Sequence, residues 1–412
     1  LHPRVRRQRQ MCIRDRDVND YPVKEQYVLS RLLPEYVSLY RIELNSGKYE
    51  ILRLDANTNA RQLAEKDPHP AENFDEYARR YADNFILDEE KEEFIDCLYD
   101  LFHKEEKEDY DSFLDMLYGK FGKSIVEKFL KPYNEKLYAV DLKTLDKDAM
   151  GRFFPYADIP AIIDNMKANK DSTSYNNSFL YPRNGAGSFI QILYDALDSS
   201  KILMEHEVVK IDNEHKVAQL DDGSKINYEY LINTSPLNHF LGYFEGEKFS
   251  ALKNRLSYNK VLVFNLGFNK KSKFTEEHWM YIPDKAVNFY RIGFYDNILD
   301  ADKLSMYIEI GYGKEDEITE QDVEMQLKLT LENLHKLGII DNDTKLEEHS
   351  TIIMDPAYVH INTETEKMVQ QFKAEEEKNG IYTIGRYGAW TYCSMEDCMI
   401  AARDLAMSLC QG

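Results

Sequence analysis

The stretch from Ile381 to Asp397 constrains the fold more than any other. Ile381 to Ile384 is a short apolar run that ends at Gly385-Arg386-Tyr387-Gly388. Ala389-Trp390-Thr391-Tyr392 follows, and then a helix start at Ser394-Met395-Glu396-Asp397. A buried strand, a tight glycine turn and a helix N-terminus form a cradle in which backbone N–H groups can meet an anion or a dinucleotide. Such a unit needs a sheet around its strand, so the pattern points to an α/β domain.

The rest of the chain supplies other kinds of structure, interleaved. Residues 26–55 alternate apolar and polar in short runs, with a hairpin signal at Asn45-Ser46-Gly47. From about 73 to 137 apolar residues recur three and four apart between acids and lysines, which predicts a small helical bundle. Its charge runs, such as Glu89 to Glu93, read as solvated helix faces. Residues 185–235 predict a glycine turn, an amphipathic helix, strands over 202–211 and 216–220, and a turn at Asp222-Gly223 leading into a strand over 225–235. Residues 259–312 hold several strands. Thr319 to Leu337 predicts a long helix, with Thr319 as N-cap, Asp322 three residues on and Gly338 as stop. No repeat or low-complexity linker separates these blocks, so the domains are expected to be discontinuous in sequence.

Leu1 to Arg16 stands apart. It holds six arginines and one acid, a net charge of +5 that leaves −26 on the remainder of a chain with −21 in total. It reads as a basic targeting arm or as foreign sequence joined to a truncated gene; the abrupt change of texture at Asp17 favours the second, and the segment is left out of the fold. The acidic balance of the chain argues against unspecific binding of nucleic acid, whose phosphates it repels. No apolar run approaches a membrane span and no signal peptide is visible, which gives a cytoplasmic expectation. The five cysteines form no C-x-x-C pair, so no zinc site or disulfide framework is expected, and no metal. Cys393 and Cys398, five apart at the turn and helix start, admit a redox pair. The 29 tyrosines fit either sugar and nucleotide surfaces or ordinary core margins.

Three further patterns join the glycine turn. Lys131 to Tyr138 reads KPYNEKLY and leads to Gly151-Arg152-Phe153-Phe154-Pro155. Tyr181 to Ser188 reads YPRNGAGS. Asn288-Phe289-Tyr290-Arg291 puts an arginine among aromatics at a strand end, as a salt-bridge partner or a phosphate clamp. Together, in this order and spacing, they resemble the UDP-galactopyranose mutase family, within the larger amine-oxidase-like and protoporphyrinogen-oxidase-like group of FAD proteins, from about Asp111 to the C-terminus.

The resemblance implies a mixed α/β fold: an FAD-binding Rossmann-like domain, an inserted helical bundle and an antiparallel substrate sheet. It places a connecting sheet at 17–72, the helical domain at 73–150, substrate-sheet segments at 151–183 and 246–375, and the two parts of the FAD domain at 184–245 and 376–412. It implies that Arg152 and Arg291 hold the UDP diphosphate, a task suited to the planar guanidinium fork, with Tyr358 and Tyr392 beside it. Tyr281 and one of Asn176 and Asn177 would lie on the substrate side. Gly385, Arg386, Met395, Asp397 and Val208 would contact FAD.

The implied activity interconverts UDP-galactopyranose and UDP-galactofuranose, or a related UDP-sugar, for surface polysaccharide synthesis. The reduced flavin N5 would be the nucleophile and a flavin–sugar adduct the intermediate. The competing expectations are an FAD-dependent oxidoreductase of the amine oxidase or protoporphyrinogen oxidase type and an inactive remnant. The G-x-G-x-x-G turn that opens such a family is absent. Loss of that unit would bare sheet edges and lower solubility. A homo-oligomer is left open.

Overall fold

A computed structural model describes residues 25–33, 36–43, 49–54, 89–150 and 181–411. Arg152, Asn176 and Asn177, the turn at Asn45-Ser46-Gly47, residues 73–88 of the expected helical stretch and the first sixteen residues lie outside the described residues. The chain divides into two units, Leu1–Leu98 and Tyr99–Gly412. In the first, β1 (Glu25–Leu33), β2 (Tyr36–Glu43) and β3 (Tyr49–Leu54) form an antiparallel meander in which Tyr40 faces Val28 on one side and Ile51 on the other.

The helical block comprises α1 (Glu89–Phe102), α2 (Phe113–Ile125) and α3 (Lys131–Tyr138), with a five-residue π-helical turn, Val126–Leu130, joining the last two. Phe113, Leu114, Leu117 and Phe121 fall three and four apart on α2 and are buried. Ser112 caps α2 by accepting from the Asp115 N–H at 3.2 Å.

After the turn at Gly185, α4 (Gly187–Asp195) leaves Ile190, Ile192 and Leu193 between 47% and 68% exposed. Three short strands, β4 (Val208–Asp212), β5 (Val217–Leu220) and β6 (Lys225–Asn227), then form a small antiparallel sheet. The strand expected from residue 202 begins only at Val208, because Glu205 takes a left-handed φ of 61° that breaks the extended run. The strand expected over 225–235 is two strands: β7 (Leu231–Asn233) leaves the small sheet for another.

The main sheet runs, in order, from Leu346–Met354 through Ser257–Phe268, Ser305–Gly313 and Arg291–Phe294 to Trp279–Tyr281. After helix α5 (Glu247–Arg255) come β8 (Ser257–Phe268), β9 (Trp279–Tyr281), β10 (Arg291–Phe294) and β11 (Ser305–Gly313). Side chains alternate across a sheet. Ile292 and Phe294 of β10 and Met306, Ile308 and Ile310 of β11 therefore point one way, into a core shared with Leu334 of α6 (Glu320–Lys336). Arg291, Tyr307 and Glu309 fall on the opposite face. Helix α6 has the expected Thr319–Asp322 capping box.

β12 (Leu346–Met354) and β13 (Val359–His360) complete the sheet, and α7 (Thr363–Glu376) packs Val369 and Phe372 into a second core with Phe249 and Leu252 of α5. Finally β14 (Ile381–Thr383) pairs in parallel with β7, and α8 (Met395–Gln411) closes the chain.

Candidate functional site

The polar face of the main sheet carries the site. Cross-strand register places Tyr281 of β9, Arg291 of β10 and Glu309 of β11 in one row. The Arg291 guanidinium donates to Glu309 Oε1 at 2.6 Å and to the Tyr358 hydroxyl at 3.3 Å. Its Nε is buried and has no hydrogen-bond partner among the described residues. A buried N–H without a partner is uncommon and marks a place where a ligand can supply an acceptor.

Aromatic rings surround this arginine. Tyr133 of α3 lies edge-on to Tyr281 with centroids 4.9 Å apart and stacks on Phe129 at 5.6 Å. Tyr290 is fully buried 6.0 Å from Tyr133. On the other side Tyr358 stacks on Tyr392 at 6.1 Å, and the Arg386 guanidinium lies 4.4 Å from the Tyr392 centroid and 5.5 Å from that of Tyr358. Burial pushes the Tyr358 and Tyr307 phenols up to about 12, and those of Tyr133, Tyr138 and Tyr290 upward as well. At neutral pH all five remain O–H groups.

Two buried polar side chains fix this geometry. Asn259 is fully buried, accepts the Tyr358 N–H at 2.7 Å on Oδ1 and donates from Nδ2 to the Leu137 carbonyl. His360 contacts the Tyr138 carbonyl through Nε2 at 3.1 Å, which requires the proton on Nε2. Its Nδ1 accordingly accepts from the Ser257 hydroxyl at 2.8 Å. The end of α3 is thus tied to the segment that carries Tyr358. Lys136 ties α3 to the β9–β10 loop by donating to the carbonyls of Ile282, Asp284 and Phe289.

The glycine turn forms a neighbouring feature. Gly385 has a φ of +76°, and a Cβ on Gly388 would lie 2.7 Å from the Asn233 carbonyl oxygen, so the turn sits tight against the end of β7. Among the described residues, Thr383 Oγ1 and Trp390 Nε1 are buried there without hydrogen-bond partners. Asp397 closes a cap on Ser394, accepting its N–H and O–H at 2.8 Å each.

The profile of the flavin containing amine oxidoreductases matches residues 19–410. The chain belongs to that family. This amine oxidoreductase relative resembles several solved structures in fold. Crystalline reduced UDP-galactopyranose mutase shares 20% identity at a TM-score of 0.66, over 73% of this chain and 67% of the mutase. A putative protoporphyrinogen oxidase from Exiguobacterium sp. 255-15 shares 16% at 0.56, over 79% and 72%. A fatty acid isomerase from P. acnes that produces CLA shares 12% at 0.50, over 78% and 76%. The family is flavin-containing, and the fold is the mixed α/β arrangement expected, with helices and antiparallel sheets. The Gly385 turn fits such a group: a glycine-lined approach beside a parallel strand pair, with two orphaned buried polar atoms, can accept a flat ligand with hydrogen-bonding edges. No helix among the described residues is long and apolar enough to cross a membrane.

Of the residues singled out in sequence, Arg291, Tyr358, Tyr392, Tyr281 and Arg386 come together in this family member. Gly385, Met395 and Asp397 lie at the adjoining turn and helix start, where Met395 is 60% exposed. Val208 begins β4 and packs against the core that contains Leu237 and Trp390. Sequence reasoning assigns no role to Glu309, Tyr133, Asn259 or His360. A lone acid in SMYIEIGYG and an asparagine near the start of the long apolar strand SYNKVLVFNLGF are the available signals.

Proposed function

We propose that this flavin-containing amine oxidoreductase relative acts as an FAD-dependent UDP-sugar mutase, interconverting UDP-galactopyranose and UDP-galactofuranose or a related UDP-sugar. The observation that carries the reading is Arg291, held at the centre of protonated phenols with its Nε unpaired. Glu309 balances the charge of Arg291, and Arg386 beside Tyr358 and Tyr392 leaves the site with a net positive charge, which favours a diphosphate over the cationic form of an amine. Arg291 binds phosphate oxygens through its fork, while Tyr358 and Tyr392 donate hydroxyls to the same anion. Tyr281 and Tyr133 offer flat faces for the sugar or base, and Arg152 would supply the second guanidinium.

Gly385, Arg386, Met395 and Asp397 would line the flavin, with Val208 toward its adenine end. Bound and reduced, the flavin supplies the nucleophile that a sugar transfer needs. The side chains position the substrate and stabilise the departing diphosphate charge.

A second reading keeps the flavin and changes the chemistry to oxidation, supported by the likeness in fold to a putative protoporphyrinogen oxidase. The test is to load the protein with FAD, reduce it with dithionite, add UDP-galactofuranose and follow UDP-galactopyranose by chromatography. Conversion that requires reduction supports the mutase, and Arg291→Ala should then weaken UDP binding by about 30-fold or more, the scale of a lost buried charged contact. A reducible flavoprotein that converts no UDP-sugar and binds UDP equally well with and without Arg291 refutes it.

A further inference from the structure

Cys393 and Cys398 bracket the start of α8, and their sulfurs lie 3.7 Å apart. Both are half-buried and neither is in a disulfide. The residues between them are already fixed. Ser394 and Asp397 exchange hydrogen bonds, with Asp397 Oδ2 accepting from the Ser394 N–H and O–H at 2.8 Å and Ser394 Oγ accepting the Asp397 N–H at 3.2 Å. The Cys398 N–H then donates to the Ser394 carbonyl at 3.2 Å. Two thiols held this way face each other at high effective concentration, so little conformational entropy remains to be lost on joining them. A disulfide needs sulfurs about 2 Å apart, which side-chain rotation can supply from this starting point.

We propose that Cys393 and Cys398 are a reversible dithiol–disulfide site that exchanges with small-molecule disulfides. One cysteine thiolate attacks a sulfur of the small disulfide, forming a mixed disulfide and releasing a small thiolate that takes up a proton. The second cysteine thiolate attacks its neighbour's sulfur in the mixed disulfide and releases the second small thiolate, which is protonated in turn. Two electrons and two protons pass from the protein to the small disulfide, giving two small thiols. Burial pushes the Cys393 thiol up to about 11, so exchange is slow at neutral pH and quickens as pH rises.

The site adjoins the aromatic stack. Arg386 donates to the Cys393 carbonyl at 3.4 Å while its guanidinium covers Tyr392. A change in the Cys393 backbone therefore reaches Arg386 directly.

The test equilibrates the full chain in glutathione buffers of increasing disulfide content, quenches with acid, and alkylates. Trypsin releases Tyr387–Arg403 as one peptide with both cysteines and no internal cleavage site. The expected result is that this peptide loses both alkylation sites together, becomes lighter by two hydrogens, and regains them on return to reduced glutathione. Cys393→Ser and Cys398→Ser should each trap a glutathione adduct on the remaining thiol. The proposal is overturned if both thiols stay alkylatable across the series while the protein still melts cooperatively. It is also overturned if each takes up glutathione independently, or if either pairs with Cys410.

Discussion

Replacing Lys136 with methionine tests how the site is held together. The methionine keeps most of the aliphatic stem, so no large cavity forms. What disappears is a cation that donates to three carbonyls, those of Ile282 at 2.8 Å, Asp284 at 2.9 Å and Phe289. The Ile282 and Phe289 contacts are partly buried, whereas the Asp284 carbonyl is exposed and regains water. Each buried acceptor left alone costs about 1–3 kcal/mol. Two of them give a loss of about 2–6 kcal/mol, lowered if water enters the gap. Chemical denaturation followed by circular dichroism measures it directly. The freed carbonyls belong to the loop leading into Tyr290 and Arg291, so UDP affinity should fall in the folded variant too. A loss below about 1 kcal/mol with unchanged UDP affinity would falsify the account of Lys136 as the clamp of that loop.

Other expectations follow from the same geometry. Burial lowers His360 from 6.5 to about 4. Its unfolded form takes up a proton first as pH falls, so stability is intact above about 6.5 and declines down to 4. The loss approaches about 3 kcal/mol. Melting curves of His360→Gln and the parent across that window should converge at low pH, and parallel curves would exclude His360 as the cause. Gly311→Ala places a Cβ against the Lys136 carbonyl oxygen. It should cost about 1–3 kcal/mol through displacement of α3, and an unchanged unfolding midpoint would contradict that packing. The bare apolar side chains of α4 predict binding of a hydrophobic dye and self-association. A monodisperse, dye-silent preparation would count against an open α4 face.

The face on which Arg291 falls is legible in the sequence alone, because RIGF and SMYIEIGYG alternate cleanly. The partner Glu309 is not: it lies eighteen residues away, and only cross-strand register sets the two opposite each other. Asn259 and His360 look like interruptions of apolar strands until the carbonyls at the end of α3 are placed beside them. β12 leaves little trace in the sequence because it is an edge strand with most of its side chains exposed, so it lacks an apolar rhythm. The long helix α6 is legible at both ends because its cap and stop are local chemistry. The Ile202–Glu207 segment reads as strand yet is not one, because a left-handed residue such as Glu205 leaves no mark in composition. The role of the glycine turn rests on a short, dense motif, and that kind of signal survives the loss of context.

The break at Gly122 works as a phase shifter. Upstream, the buried side chains at 113, 114, 117 and 121 keep helical time. At Gly122 the backbone leaves the helix, with φ 76° and ψ 166°, and the buried apolar side chains resume at Val126. Downstream, Val126, Leu130, Tyr133 and Leu137 fall four, three and four apart, straight through the π-helical turn and into α3. A positive φ is open to glycine and strained for other residues, and a Cβ on Gly122 would lie 2.7 Å from the Asp100 carbonyl oxygen. The segment before the break is thus indexed to the helical core and the one after it, through Tyr133 and Lys136, to the sheet, and a single glycine sets the offset between them.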